Sequence, residues 1–454
     1  MKSLECCTPE ESTPAHAAHA ATPHWTVPAV LAVFGGLNNG YNMIVVAEIL
    51  GDLRAEGVLK TPADEGLFVA AIGIGVVAMM PLGAYLADAW GRLPTVVVGE
   101  SVVVVASLLQ VACSSALALT FTRGLVGCGM ALCVLLKPLY IAELSDPRHR
   151  GKMLTLFSVA FSVGVLLVAI LGVVSGGKNW RTLLGVGAAP SLVLVVAAQC
   201  FLVESPIWED MVNPEHDKEE VTGLTAGDAL EHEELGHHHT RRKSQGFHCC
   251  QVFAELFGSA TAGPTTLAAV LTGMLFEMDG VWMLIQYRND IFEVAVGRDK
   301  VHVYAVAMCA ALVLISIVPV MLVDTVGRRP LLKSGVVGST LAKLIAAVGL
   351  STGWLSGWPL SLFILLWALF AQFGISVTST IIISEVFAPR HRSVGMCFTF
   401  MCMLSVGVLL NFAYRPGVEV IGHHGWMFLF AGASVAIAVP LLLVLPETKG
   451  QRIL

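Results

Sequence analysis

A chain of 454 residues in which 56% are apolar and only 13% are charged is too apolar for ordinary soluble domains. The formal net charge of −6 is small and the basic residues sit in short loops, so nucleic acid is not expected as a partner. The eleven cysteines are scattered, which speaks against a disulfide framework. Because lipid offers no partner for an open sheet edge, the composition predicts an all-α membrane protein.

Apolar runs long enough to cross a bilayer recur along the chain, and they number about twelve. The first half of them predicts an N-terminal bundle over 26–203, and the second half a C-terminal bundle over 263–446. We expect an N-terminal tail at 1–25, a polar central loop at 204–262 and a short tail at 447–454. The predicted spans lie near 26–49, 66–87, 95–116, 119–142, 153–174, 184–203, 267–290, 302–323, 331–351, 359–385, 394–413 and 426–445.

The distribution of Lys and Arg predicts the orientation, because these residues stay on the cytoplasmic side more readily than they translocate. Most of them fall in segments that are cytoplasmic if the N-terminus is inside, so both termini are expected there. The first residues contain no apolar core, and no cleavable signal is expected. The location is a membrane, with the plasma membrane favoured over an intracellular one.

A short acidic and basic motif occurs twice, after the second span of each half. Asp88 is followed by Gly91 and Arg92, and Asp324 is followed at the same spacing by Gly327, Arg328 and Arg329. Glycine permits a tight reversal between helices, and arginine can hold carboxylates or helix carbonyls with its planar fork. A duplicated motif at equivalent places predicts an internal repeat of two halves.

Further motifs follow in an order that resembles the sugar porter family of the major facilitator superfamily, which includes the facilitative glucose transporters. They are Gly40-Tyr41-Asn42, Arg123 with Gly127, Gly129, Pro138, Tyr140 and Glu143, Arg150-Gly151, Trp180-Arg181, Glu204-Ser205-Pro206, Ser384-Glu385, Asn411-Phe412 and Pro446-Glu447-Thr448-Lys449-Gly450. The resemblance runs from about residue 35 to 450. It implies the major facilitator fold, in which two pseudo-symmetric bundles rock about a site at the membrane midplane.

The resemblance also implies a gate of charged residues at the inner face, whose ion pairs form in one arrangement of the bundles and separate in the other. The expected gating residues are Asp88, Arg92, Arg123, Glu143, Arg150, Asp324, Arg328, Arg329, Glu385 and Arg392. The alternative is that these charges only end the spans and fix the topology, and this alternative is preferred for residues outside a motif, such as Lys152.

The central cavity departs from the family. Where sugar porters carry amides and a tryptophan, this chain has Ser158 in its fifth span, Phe276-Glu277 and Trp282 in its seventh, and Thr380 in its tenth. A sugar hydroxyl that leaves water needs hydrogen-bonding groups that replace the water. The expected substrate-binding residues are Asn42, Ser158, Glu277, Trp282 and Thr380.

Two carboxylates in one membrane span are functional candidates, because a charge at that depth is costly. Glu277 and Asp279 lie about 200° apart on a helix, so only one can face the cavity. Glu277 is the choice for contact with substrate or with a coupling proton, and Asp279 is a weaker candidate for coupling. Asp279 can instead pair with Lys343 or Arg288, and Lys137 is expected to reach the inner surface.

No phosphate-binding loop, nucleophile elbow or zinc-helix signature occurs, so an enzyme is not expected, and neither is a cofactor. The histidines near 232–239 lack the spacing of an ordered metal site, and no metal is expected.

By resemblance the chain transports a sugar or polyol, and Asn42 favours uniport over proton symport, because proton-coupled sugar porters commonly carry Asp at this position. The alternatives are a transporter of a charged metabolite, such as an amine or amino acid, and a solute sensor that does not transport.

Overall fold

The computed structural model describes residues 26–134, 136–145, 149–176, 179–212, 262–387 and 392–444. Both expected tails, most of the central loop with its histidines, and the Pro-Glu-Thr-Lys-Gly motif lie outside the described residues. Within the described parts, long helices follow one another with short connections. The ends of the spans that the Lys and Arg distribution assigns to the cytoplasm are referred to as inner, and the opposite ends as outer.

Six spans make up the N-terminal half. Several are divided into two helices, as span 1 is at Val45 and span 6 at Gly187. A short helix, Pro206–Val212, follows them at the inner side. The spans are span 1 (Thr26–Ile44 and Val46–Ala55), span 2 (Pro62–Trp90), span 3 (Arg92–Ala112), span 4 (Ala116–Val134 and Leu136–Leu144), span 5 (Arg150–Ser175) and span 6 (Trp180–Val186 and Ala188–Cys200).

The C-terminal half repeats this plan. Span 7 is continued at its outer end by the helix Arg288–Val296. The spans are span 7 (Ala262–Met278 and Val281–Gln286), span 8 (Val301–Val326), span 9 (Arg328–Thr352), span 10 (Trp358–Phe370, a π-helical segment Ala371–Ser376, and Val377–Val386), span 11 (392–421) and span 12 (423–444).

Eleven helices of the described residues are long and apolar enough to cross a membrane. The last of them, Val394–Leu443, contains two spans, because Gly422 has a non-helical backbone with a φ of 70°. The all-α architecture of twelve spans is therefore confirmed. The expected loop between 413 and 426 is wrong, since a single glycine joins spans 11 and 12.

Glycines allow the spans of the N-terminal half to pack closely. Spans 1 and 5 cross where a Cβ at Gly40 would overlap the carbonyl of Phe161, and spans 2 and 4 cross where a Cβ at Gly127 would overlap that of Ile72. Without a hydrophobic force between helices in lipid, such close backbone contact is a main source of association. It holds the spans of this half together as one bundle.

A buried polar network lies inside the N-terminal half. Lys137 of span 4 is fully buried and forms an ion pair with Glu100 of span 3, which also accepts a hydrogen bond of 2.8 Å from the Asn38 amide. Lys137 donates to Asn39 Oδ1 as well, over 3.2 Å. The expectation that Lys137 reaches the inner surface is wrong, because a carboxylate on the neighbouring span supplies its partner within the bilayer.

Candidate functional site

Span 7 is interrupted at Gly280, next to its contact with the N-terminal half. Gly280 has a φ of 79°, in the left-handed region that side chains avoid, and the ring of Phe430 occupies the space where a Cβ would lie. The break separates the inner helix, which ends at Met278, from the outer helix, which begins at Val281. The carboxylates Glu277 and Asp279 therefore lie at the end of a half-helix near the middle of the span.

Glu277 points toward span 11. A Cβ at Gly407 of span 11 would lie 2.8 Å from its Oε2, so the glycine makes the space that the carboxyl group fills. Glu277 is 7% exposed, and we find no hydrogen bond or ion pair to its side chain among the described residues. A buried carboxylate without a partner is costly at this depth. It is thus free to meet a proton or a polar group of a solute.

Asp279 points to the opposite side, into the interior of the C-terminal half. Its Oδ1 lies 2.6 Å from Lys343 Nζ and accepts a hydrogen bond of 2.9 Å from Ser339, both on span 9. Its Oδ2 accepts a hydrogen bond of 3.0 Å from the Trp367 indole of span 10. The Ser434 hydroxyl of span 12 donates to Oδ1 over 3.3 Å. The expected alternative that Asp279 pairs with Lys343 is confirmed.

An aromatic contact joins the two halves just outside the break. Trp282 of span 7 packs edge to face on Phe161 of span 5, with ring centroids 5.6 Å apart, and it also contacts Phe276 at 5.9 Å. Its indole Nε1 is buried and has no hydrogen-bond acceptor in the parts of the chain that the structure describes. A tryptophan N–H that is buried usually has a partner. Trp282 therefore presents an unused donor at the seam between the bundles.

The other expected binding residues differ in their surroundings. Asn42 is 3% exposed, and its amide donates to Asn38 Oδ1 over 2.6 Å and to the Gly187 carbonyl over 2.9 Å, both within the N-terminal half. Ser158 is exposed and lies one helical turn inward of Phe161 on span 5. Thr380 is exposed and bonds to the carbonyl of Val377 over 2.8 Å. Ser158 thus lies on the same face of span 5 as Phe161, which contacts Trp282. The amide donors of Asn42, in contrast, are already hydrogen-bonded within the N-terminal half.

The first copy of the loop motif is held by carboxylates. Arg92 forms an ion pair with Asp88 at 2.8 Å and approaches Glu143 at 3.4 Å. Glu204, in the connection that follows span 6, accepts hydrogen bonds from the backbone N–H groups of Arg92 and Leu93, which begin span 3. A carboxylate at a helix N-terminus satisfies its free donors and complements its dipole. Span 3 and span 6 are thereby fixed together at the inner end.

The second copy is described in part. Arg329 donates to the carbonyl of Leu442 over 2.5 Å, which ties span 9 to span 12, and Arg328 begins span 9 after Gly327, whose φ is 99°. The side chains of Arg150, Asp324, Glu385 and Arg392 lie outside the described residues.

The expectation that Arg123 lies at the inner face is wrong. Arg123 is two turns from Ala116, where span 4 begins at its outer end, and its guanidinium lies 5.8 Å from the ring centroid of Phe68 in span 2. The side chain is fully buried, and none of its nitrogens has a hydrogen-bond partner in the described part of the chain. Arg123 is therefore separated from Arg92 by most of the membrane.

Ion pairs that the sequence did not reveal join the two halves at the outer end. We define the outer ring as Arg54 and Glu65 of the N-terminal half with Asp290 and Arg415 of the C-terminal half. Arg54 lies 2.9 Å from Glu65 and 3.1 Å from Asp290, and Arg415 lies 2.8 Å from Glu65 and 3.6 Å from Asp290. The signs alternate around the ring. The outer end of the molecule is closed in this structure.

A buried ion pair lies deeper than the outer ring. Arg288 Nη2 lies 2.5 Å from Glu48 Oε1, with exposed side-chain fractions of 0% and 1%. The Asn289 amide also donates to Glu48 Oε2 over 3.1 Å and to the Ala47 carbonyl over 2.9 Å. The sequence did contain a signal for this pair. Glu48 and Arg288 are charged residues of opposite sign, and each lies near the outer end of a predicted span, one in each half.

Two six-span halves, a broken span at their seam and charged contacts at both ends define a multi-pass membrane carrier with the major facilitator fold. The Sugar (and other) transporter family matches residues 28–453, and the chain belongs to this family. The members found by comparison are transporters, and the expectation of a transporter rather than an enzyme is confirmed.

Individual relatives agree with the family. The chain is 25% identical over 439 residues to the glucose transporter GlcP of Staphylococcus epidermidis, covering 93% of this chain and 94% of that protein. It is 25% identical over 438 residues to the major myo-inositol transporter IolT of Bacillus subtilis, covering 93% and 91%. The structure of the xylose transporter XylE from E. coli matches with a TM-score of 0.75 at 18% identity, covering 95% and 99%.

Proposed function

We propose that this protein carries a sugar or polyol across the plasma membrane by alternating access. The observation that carries the proposal is a pair of polar groups on span 7 that have no hydrogen-bond partner among the described residues, the Glu277 carboxyl and the Trp282 indole N–H. Hydroxyl groups both donate and accept, so a polyol can satisfy both groups at once. The relatives whose names state glucose and myo-inositol as substrates support this substrate class.

Transport is proposed to be passive. The Asn42 side chain carries no titratable proton, and its amide donors are bound within the N-terminal half. The competing proposals rest on Glu277, which could take up a coupling proton or bind a cationic solute. Asp279 and Arg288 give little support to a charged substrate, because each is bound by an ion pair within the protein.

Uptake into proteoliposomes separates these proposals when labelled hexoses, polyols, amines and amino acids are compared with and without a pH gradient. We expect hexose or polyol flux that equilibrates without accumulation, and flux within about threefold of the parent in Glu277→Gln, since an amide replaces one hydrogen bond of the carboxyl group. Glu419→Gln, an exposed glutamate at the outer end of span 11, is the matched control.

Three results contradict the proposal. Accumulation of sugar driven by a pH gradient and abolished in Glu277→Gln would indicate proton symport through this carboxyl group. Flux of amines or amino acids alone would indicate a charged substrate, and binding without flux for every solute would indicate a sensor.

The inner charges are proposed to stabilise the arrangement in which the inner end is closed. In this structure, whose outer end is closed, Arg92 pairs with Asp88 and Glu143 of its own half. We propose that Arg92 contacts the C-terminal half when the inner end closes, so Arg92→Gln should shift the protein toward the inward-open state by about threefold. Thiol labelling of a cysteine in the cavity from the inner side measures this shift. Lys152→Gln is the control, and unchanged inner labelling together with unchanged transport kinetics would refute the role of Arg92.

A further inference from the structure

The contacts at the outer end form a set that is distinct from the loop motifs of the family resemblance. Its members are the outer ring and the buried pair Glu48 and Arg288, and each half supplies both acidic and basic groups. Glu48 and Arg288 are separated by 240 residues in the sequence, and Glu65 and Arg415 by more. The contacts between Arg54 and Glu65 and between Arg415 and Asp290 lie within one half, whereas the other ion pairs of the set join the two halves.

We propose that the outer ring and the Glu48–Arg288 pair are the outer gate of the transport cycle and determine how often the carrier opens to the outside. The proposal goes beyond the proposed function, since it requires alternating access but no particular substrate. Opening the outer end must break the contacts of Arg54 with Asp290, of Arg415 with Glu65 and of Arg288 with Glu48. These contacts exist only when the end is closed, so their free energy shifts the population toward the closed state.

The buried pair is expected to contribute most. Glu48 and Arg288 are almost completely excluded from solvent, and Asn289 supplies a further hydrogen bond to the same carboxylate. Removal of one partner leaves an uncompensated charge in the closed state, which is strongly unfavourable, whereas water solvates that charge once the end opens. The ring is more accessible, because the exposed side-chain fractions of Arg54 and Arg415 are 32% and 20%, so each of its pairs is expected to contribute less.

The contacts of the outer ring are shared among its four members, so one substitution removes only some of them. Each arginine reaches both carboxylates, so loss of one member leaves two contacts of the four. The ring is neutral as a whole, which limits the cost of desolvating it when the end closes. A single neutral substitution in the ring is therefore expected to weaken the gate in part rather than abolish it.

The test measures the outer accessibility of the seam. Met43 of span 1 lies inward of Glu48 and packs against an apolar cluster that contains residues of both halves, so a cysteine there, Met43→Cys, reports on opening. A membrane-impermeant thiol reagent is applied from outside to whole cells. The same gate variant without Met43→Cys gives the background from the native cysteines, such as the half-buried Cys113 at the outer end of span 3.

We expect Glu48→Gln and Arg288→Gln each to increase the labelling rate about tenfold, and Arg415→Gln about threefold. In inside-out vesicles the labelling of the same cysteine from the inner side should decrease, because the two end states compete. Exchange of the charges in Glu48→Arg with Arg288→Glu should bring outer labelling back toward the parent rate.

The matched control is Glu293→Gln, which breaks the ion pair with Arg298 at the same end of the molecule but within one half. It should leave labelling unchanged. The proposal is overturned if the gate variants label from outside at the rate of this control while eluting as the parent does in size-exclusion chromatography. If Glu48→Gln and Arg288→Gln do not fold, Arg415→Gln decides. An increase in labelling from both sides at once also overturns it, since that result indicates local unfolding.

Discussion

Asp279→Ala is expected to lower the melting temperature of the purified protein by about 5–10 °C, the largest effect on stability predicted for a single residue. The substitution leaves Lys343 fully buried without its carboxylate, and it removes the acceptor of the Trp367 indole at the same time. Breaking a buried ion pair by removing one partner costs about 3–5 kcal/mol. Thermal unfolding followed by size-exclusion chromatography in detergent measures this effect.

The loss of stability in Asp279→Ala is attributed to the unpaired charge of Lys343, and a variant without either charge tests this explanation. Asp279→Asn combined with Lys343→Met removes both charges and should recover a large part of the stability lost in Lys343→Met alone. Glu293→Gln, which breaks an exposed ion pair, should leave the melting temperature unchanged. If Asp279→Ala melts at the temperature of that control, the ion pair does not stabilise the fold.

Trp282→Ala is expected to raise the KM of transport about tenfold while the protein remains folded. The change removes the indole donor at the seam and the edge-to-face contact with Phe161 of the opposite half. A large aromatic contact and one hydrogen bond to a solute hydroxyl are each worth about 1 kcal/mol. Uptake of the transported solute into proteoliposomes at a series of concentrations measures the KM.

A conservative variant separates the two contributions of Trp282. Trp282→Phe keeps an aromatic ring against Phe161 but has no N–H, so it should raise the KM by about threefold to fivefold, less than Trp282→Ala does. Trp358→Phe is the control, because Trp358 is exposed at the outer end of span 10. A KM in Trp282→Ala equal to that of the control would remove Trp282 from the binding site.

The sequence predicted the fold well, because its strongest signals are local. Apolar runs of about 20 residues identify spans without knowledge of their neighbours. The angular argument for span 7 was equally local, and the structure agrees with it: Asp279 points into the C-terminal half, and Glu277 points toward Gly407 of span 11. The predicted spans left a loop between 413 and 426, whereas both helices continue to Gly422.

The charged contacts between spans could not be predicted in the same way. Glu65 and Arg415 meet only because spans 2 and 11 face each other, and a charge near the end of a span looks the same in the sequence whether it binds a partner or meets water. Lys137 was misjudged for this reason, since Glu100 lies on another span. Arg123 was different, because the predicted span that begins at 119 already places it near the outer end.

Gly422 joins spans 11 and 12 without a loop and adopts a φ of 70°, which side chains disfavour. The two helices are therefore connected by one residue, and no flexible loop between them could accommodate a tilt of one helix relative to the other. A peptide tag inserted at this joint would have to separate helices that continue on both sides of it. Epitope insertions for detecting the protein on intact cells should succeed in the turn at 56–60, where the backbone is already outside regular helix, and should fail at 422.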